Sequence, residues 1–216
     1  MNTLDFFAIA IVVAMTAHGA SSPVVRPVSN SDPEGKVGKR PYELDWAGRD
    51  EPAHPQLVDF EDLAGWQVVG LRGCVAEAFR SREELLFGSY TAKVVYRGRD
   101  AASAFELRPP EPIPIPGRPT AVNLWVRGNN WGWHPKPRTA RTHVQVLLED
   151  ARGEAFTVNM GTVNFDYWFL MHATMVSPAG QQTGRVRSVE GDGKLDYPLR
   201  FTGIRVTSCS DPKPAR

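Results

Sequence analysis

The chain has 216 residues, enough for one domain of ordinary size with extensions. Lys and Arg total 25 against 24 Asp and Glu, and this near-neutral balance argues against a binder of the nucleic-acid backbone, which needs a clear cationic excess. A hydrophobic share of 42% supports a core, while 19 Gly and 18 Pro point to short strands and many turns.

The first segment reads as an export signal, residues 1–20. Phe6 to Met15 is an apolar run of ten residues, too short to span a bilayer, followed by small residues at Thr16-Ala17-His18-Gly19-Ala20 where a peptidase could cut. The segment before the run carries Asp5 and no Lys or Arg, a departure from the usual pattern. The expectation is a secreted, periplasmic or cell-surface protein. Residues 21–55, broken by Pro23, Pro27, Pro33, Pro41, Pro52 and Pro55, read as a Pro-rich linker or arm. Within it, Tyr42, Leu44 and Trp46 alternate like an extended piece.

From Leu57 the texture becomes that of strands. Leu57–Glu61 alternates like an edge strand, and Trp66–Val69 forms a second run. Glu77–Leu86 is ambiguous between a turn and one turn of helix. Tyr90–Tyr96 is β-branched and aromatic, bounded by Gly88 and Gly98. Ala104–Leu107 follows as another strand. Pro109, Pro110, Pro112, Pro114 and Pro116 lack the ladder donor and read as a rigid extended crossover. Ala121–Val126 is a strong central strand, and Gly128–Pro137 a long loop. Thr142–Leu148 and Ala155–Val158 flank a tight turn at Asp150–Gly153, and Thr162–Phe165 with Tyr167–His172 supply the next pair. Gly180–Asp196 reads as loop, and Leu199–Thr207 as the last strand. Expected core or ridge residues are Val94, Val122, Leu124, Trp125, Val146, Leu148, Phe201 and Ile204. Many short strands without helical periodicity predict an all-β, antiparallel two-sheet sandwich over residues 56–208, with a tail at 209–216.

Several stretches carry a resemblance. Asp59-Phe60-Glu61-Asp62 with Trp66, Phe87 to Val94, Leu124 to Asn130, Leu148 to Glu154, and Gly161 to Phe165 with Trp168 stand in the order found in carbohydrate-binding modules. The chain therefore resembles jelly-roll, galactose-binding-like domains of that kind. Ile115-Pro116-Gly117 through Trp168 is also similar to the outer-layer sheath proteins of spirochaete periplasmic flagella. The resemblance implies a final strand pairing beside the opening one, and no such strand follows Thr207. The expectation is a jelly roll lacking its last strand, with an open edge at Val58–Asp62 that another element fills, or a piece of a longer polypeptide.

Chemistry follows from the same residues. Asn129, Asn130, Trp131, Trp133 and His134 share one loop; indole faces stack on sugar C–H surfaces while amides and imidazole pair with hydroxyls, so the mixture suits a glycan. The competing reading is that both indoles fold back to plug the end of the sandwich. By the resemblance, Asp59 and Glu61, with Asp62, stand at the acidic side of a structural calcium site. Cys74 and Cys209 are the two cysteines, and an even count in an exported chain favours a disulfide; two unrelated buried thiols are the alternative. His134, His143 and His172 have no metal-ligand spacing. Glu149 and Asp150, adjacent on a strand, point to opposite faces and cannot flank one glycosidic bond. The function expected is a non-catalytic module that recognises a polysaccharide or cell-envelope glycan. The alternative is a structural or assembly protein of the envelope or matrix, with the sandwich as scaffold.

Overall fold

The computed structural model describes residues 5–12, 56–86, 88–128 and 142–209. Among these residues there is no helix, and hence none long and apolar enough to cross a membrane. Twelve strands, numbered in chain order, build two sheets. The first contains β1 (Asp5–Val12), β3 (Val75–Ser81), β4 (Thr91–Arg97), β7 (Ala121–Arg127) and β10 (Trp168–Thr174), in the order β10-β7-β1-β4-β3. The second contains β2 (Gln67–Leu71), β5 (Ala104–Arg108), β6 (Ile113–Ile115), β8 (Thr142–Glu149), β9 (Ala155–Val163), β11 (Val186–Ser188) and β12 (Leu199–Thr207). Its order is β11-β9-β8-β12-β5-β2, with β6 also beside β12. All strand pairs are antiparallel, and the chain passes repeatedly from one sheet to the other, a jelly-roll sandwich.

Alternation along the strands creates the interlayer. On β12, Leu199, Phe201, Ile204 and Val206 are fully buried while Arg200 and the side chains between face outward. Val144, Val146 and Leu148 of β8 and Phe105 and Leu107 of β5 flank them. Opposite lie Ala92 and Val94 of β4 and Val122, Leu124 and Val126 of β7. Each of these Val, Leu, Ile and Phe side chains contributes roughly 1.5–3 kcal/mol of burial free energy. β7 is buried on both faces, because Asn123 and Trp125, which alternate with the core set, are each 2% exposed. Trp125 thus lies on the opposite face of the strand from Val122 and Leu124.

The Pro-rich crossover contains a short strand. Ile113–Ile115 pairs with Leu199–Phe201, continuing along β12 the side that β5 takes with Ile204–Thr207. Between these stretches Gly203 sits at φ +150°, where the β8–β12 register shifts; a Cβ there would stand 2.6 Å from the carbonyl oxygen of Leu107. The expected strand at 155–158 and the first two residues of the one expected at 162–165 are one continuous β9, which ends at Val163, and β11 lies within the expected 180–196 loop. The ambiguous 77–86 segment is strand through Ser81 and bends beyond it.

One expectation is overturned locally. Val58–Asp62 does not form a strand, because Phe60 adopts φ +59°, a left-handed conformation that ends an extended run. The turn drops the Phe60 ring, fully buried, into the core against Trp66 at 5.1 Å between ring centres. The strand supplied from outside residues 56–208 is β1, in the centre of the first sheet. The arm at 21–55, with Tyr42, Leu44 and Trp46, lies outside the described residues.

Cys74 and Cys209 are both buried and are not joined by a disulfide. They converge on the start of β5: Ser103 accepts from the Cys209 amide at 3.0 Å, and its hydroxyl donates to the carbonyl of Arg72 at 3.0 Å. The Cys209 thiol hydrogen-bonds Cys74 and holds it below the usual thiol value, against the opposing effect of burial. Thiol–disulfide exchange with oxidised glutathione is expected to convert this pair to a 74–209 bridge, releasing two reduced glutathiones. In the loop-entropy description such a bridge stabilises by about 4–5 kcal/mol. Thiol titration in denaturant and urea melts, with Cys74→Ser as control, check this; unchanged titre after oxidation would refute it.

Candidate functional site

The outer face of the second sheet carries a groove of about 460 Å³. β5 turns alternate positions, the buried Glu106 and the exposed Arg108, toward this face, and its neighbours align Gln67 on β2 and Arg205 on β12. Leu147 and Glu149 of β8, Thr202 and the run Pro109–Pro110 complete the lining. The mixture is an apolar floor with converging polar groups, the usual make-up of a small-molecule or oligomer site.

Glu106 organises these charges. It is 1% exposed, and two guanidiniums clamp it: Arg205 Nε and Nη2 each reach Oε1 at 2.6 Å, and Arg108 Nε donates to Oε2 at 2.7 Å, with its Nη2 on the same oxygen. A buried carboxylate is tolerated here because both oxygens receive charge-assisted bonds. Since Glu106 takes the Nε/Nη2 edge of both arginines, their Nη1 edges turn away from it. Glu149 is likewise paired, with Arg200.

One rim of the groove, at Ala155 and Val189, is fixed by a second charge cluster. The Val189 amide donates to Ala155 at 2.9 Å. Asp150, fully buried, closes the β8–β9 turn by accepting from the amides of Arg152 (2.8 Å) and Glu154 (2.9 Å). Arg152 then reaches across to Asp192 with two bonds of 2.9 Å and to Asp196 at 2.5 Å. Glu154 accepts from the amides of Asp192 and Gly193. The hydrogen bond from Arg152 is the main cause that holds the Asp192 carboxyl below the ordinary carboxylate range.

At the other end of β8, where residues 128–141 join β7 to it, Phe165, Tyr167 and Phe169 form an aromatic cluster with centroids 5.0–6.4 Å apart. Phe165 is buried, whereas Tyr167 and Phe169 are about half exposed. From Thr142 to the groove-lining level of Gln145–Leu147 is three to five residues of β8, roughly 10–16 Å of strand.

The expected ligand loop, Asn129, Asn130, Trp131, Trp133 and His134, lies outside the described residues. The carboxylates expected near calcium act as backbone caps. Asp59 accepts from the Glu61 amide at 3.0 Å, and Asp62 from Ala64 at 2.9 Å. Glu61 Oε1 accepts from Ser89 at 2.6 Å and Tyr90 at 3.3 Å, in space that opens because residue 88 is Gly: a Cβ there would lie 1.8 Å from that oxygen. Among the described residues no group of three His, Cys, Asp or Glu side chains could hold a metal ion. His143 (on Thr162, 2.9 Å) and His172 (on Asn123, 2.7 Å) sit on different sheets. The groove residues Glu106, Arg108 and Arg205 were not singled out by the sequence, where they show only as charges alternating with apolar residues.

No family model and no curated protein matches the chain. Among solved structures, the family 11 carbohydrate-binding module of a cellulosomal cellulase of Clostridium thermocellum aligns at 8% identity, covering 70% of this chain and 82% of that one, with a TM-score of 0.31. The same family's module in complex with a β-1,3-1,4-mixed-linked tetrasaccharide aligns at 9% identity over 72% and 85%, again with a TM-score of 0.31. Likeness at that level does not bear on what this chain binds.

Two outcomes follow from the charge clusters. Replacing Glu106 with Gln leaves Arg108 and Arg205 facing each other and is expected to cost about 1–3 kcal/mol in urea unfolding. Replacing Arg152 with Ala is expected to return the Asp192 titration, followed by carboxyl NMR, upward toward the ordinary range. The sign is that of a depressed carboxyl: its contribution to stability is present at neutral pH and lost as pH falls through the folded-state value.

Proposed function

We propose that the chain is a non-catalytic, exported binding module whose groove between β2, β5, β12 and β8 takes a carbohydrate of the polysaccharide or cell-envelope type. The observation that carries this reading is the Glu106-centred pair of guanidiniums over an apolar floor. Two arginines fixed by one buried carboxylate present preorganised donors, which suits sugar hydroxyls or uronate carboxylates. The prolines and Leu147 offer the flat apolar contact that a sugar C–H face needs. Both groove carboxylates, Glu106 and Glu149, are paired with guanidiniums, which favours holding a ligand over transferring a proton. The competing glycan site is the loop of residues 129–134, which lies outside the described residues.

Binding to insoluble cell-wall polymer and to a glycan array tests the proposal. Arg205→Ala and Arg108→Ala, which leave Glu106 one guanidinium each, are expected to weaken retention at least about tenfold, the equivalent of one lost charge-assisted bond. Trp131→Ala with Trp133→Ala is expected to change it little. Loss of binding only in the indole variants would move the site to the loop, and no binding by the wild type to any glycan would remove the reading altogether.

A further inference from the structure

On β3, the side that packs Ala76 and Ala78 against the core continues as Arg80. The register that pairs Arg80 with Ala92 and Ser81 with Thr91 sets Arg82 opposite Tyr90 one step further on. Arg80 and Arg82 are two apart, so both reach the same ring from neighbouring positions. Their guanidinium carbons stand 4.5 and 5.1 Å from the centre of Tyr90. Glu61 fixes the arrangement from both ends. Its carboxylate accepts from the amides of Ser89 and Tyr90, and its backbone carbonyl accepts from Arg80 Nη1 at 3.2 Å. Both arginines are exposed, and the ring between them and the chain is half-buried.

Two guanidiniums on one ring lie within about 10 Å of each other, no more than one Debye length in 0.1 M salt, so they repel. The carboxylates of the adjoining segments do not offset this. Glu83 pairs with Lys93, and Glu84 with Arg127 at 3.0 Å. Glu61 is taken by amides, and Asp59 and Asp62 cap their own turns. Among the described residues neither Arg80 nor Arg82 has a carboxylate at ion-pair distance, whereas Arg108, Arg127, Arg152, Arg200 and Arg205 all do. The hairpin thus gathers positive charge and leaves it uncompensated.

We propose that Arg80, Arg82 and Tyr90 form an anion site that takes an oxyanion substituent of an acidic glycan, a uronate carboxylate or a sulfate ester. That a glycan bears the anion rests on the function proposed above; the capture of an oxyanion does not. A guanidinium is a planar fork whose paired N–H groups match two oxygens of one anion. Stacking on the ring restrains both forks before a ligand arrives, which lowers the ordering cost of binding. Arg80 spends one donor on the Glu61 carbonyl, and the rest of its fork remains for a ligand. An arriving oxyanion also removes the repulsion between the two cations. The site lies on the first sheet, and neither β3 nor β4 contributes a residue to the groove, so the two are separate.

The test measures retention of the full chain on polygalacturonate and on dextran sulfate, with neutral dextran as reference, across a range of salt. The expected result is retention on at least one acidic polymer that weakens as salt rises, and the polymer retained names the oxyanion. Arg80→Gln with Arg82→Gln is expected to weaken that retention at least about tenfold and to flatten its salt dependence, with urea melts as the check on folding. Arg82→Lys, which keeps the charge and loses the fork, is expected to weaken it about threefold. Arg97→Gln with Arg187→Gln removes the same charge from exposed positions elsewhere and is expected to change little. No retention of the wild type on either acidic polymer, an unaltered Arg80/Arg82 variant, or an equal loss in the Arg97/Arg187 variant would overturn the proposal. Repeating the series in an Arg205→Ala background separates the two sites. Loss only on mutating the groove overturns this proposal and keeps the groove, and loss only on mutating Arg80 and Arg82 does the reverse.

Discussion

The apolar faces of β7 and β12 meet between the sheets, and the rest of the sandwich is arranged so that both can stay there. Phe201, Ile204 and Val206 on one side and Val122, Leu124 and Val126 on the other are fully removed from water. Strands buried this completely cannot leave backbone groups unpaired, because no water reaches them. Each is therefore flanked on both edges: β12 by β8 and by β5 with β6, β7 by β10 and β1. Phe60 reaches the same layer by a different route, as a lone ring brought in through a strained backbone rather than as part of a ladder.

Charge is organised by the same economy of burial. Glu106, Asp150 and Glu61 each place carboxylate oxygens against several donors, and each fixes a different piece of chain. Glu106 binds two neighbouring strands through side chains. Asp150 holds a turn and receives the Asp196 amide from the distant loop. Glu61 ties the segment entering the sandwich to the start of β4. These three charges, which look scattered in the sequence, act as struts within the fold.

Most strands were legible because a half-buried strand writes its two faces into the sequence at alternate positions, as in Thr142–Glu149 and Leu199–Thr207. Antiparallel class and core membership follow from the same alternation. Three things were not legible. The Val58–Asp62 alternation is genuine, but a single backbone angle at Phe60 cancels it, and nothing in the residue type announces a left-handed phenylalanine. The Asp5–Val12 run has the composition of a leader and of a buried strand alike, since both need continuous apolar character. The groove is built by cross-strand neighbours about 40 to 100 positions apart, so Glu106 and Arg205 become a site only once register is known. Where the sequence did point to chemistry, at Asp59 and Glu61, it identified acidic side chains correctly and missed that turn amides would claim them.

The position of β12 has a consequence for the order of events in the life of the chain. It is the last of the described strands, yet it lies in the middle of its sheet, and its bond from Arg205 to Glu106 closes a loop of 99 residues. Contacts of that span make for slow folding, because the entropy of closing long loops comes due before the pairing that offsets it. β5 and β8 are made long before the strand that joins them, so during synthesis the nascent chain carries two incomplete half-sheets with exposed edges. A chain of this design reaches its final packing only after residues near 207 have left the ribosome.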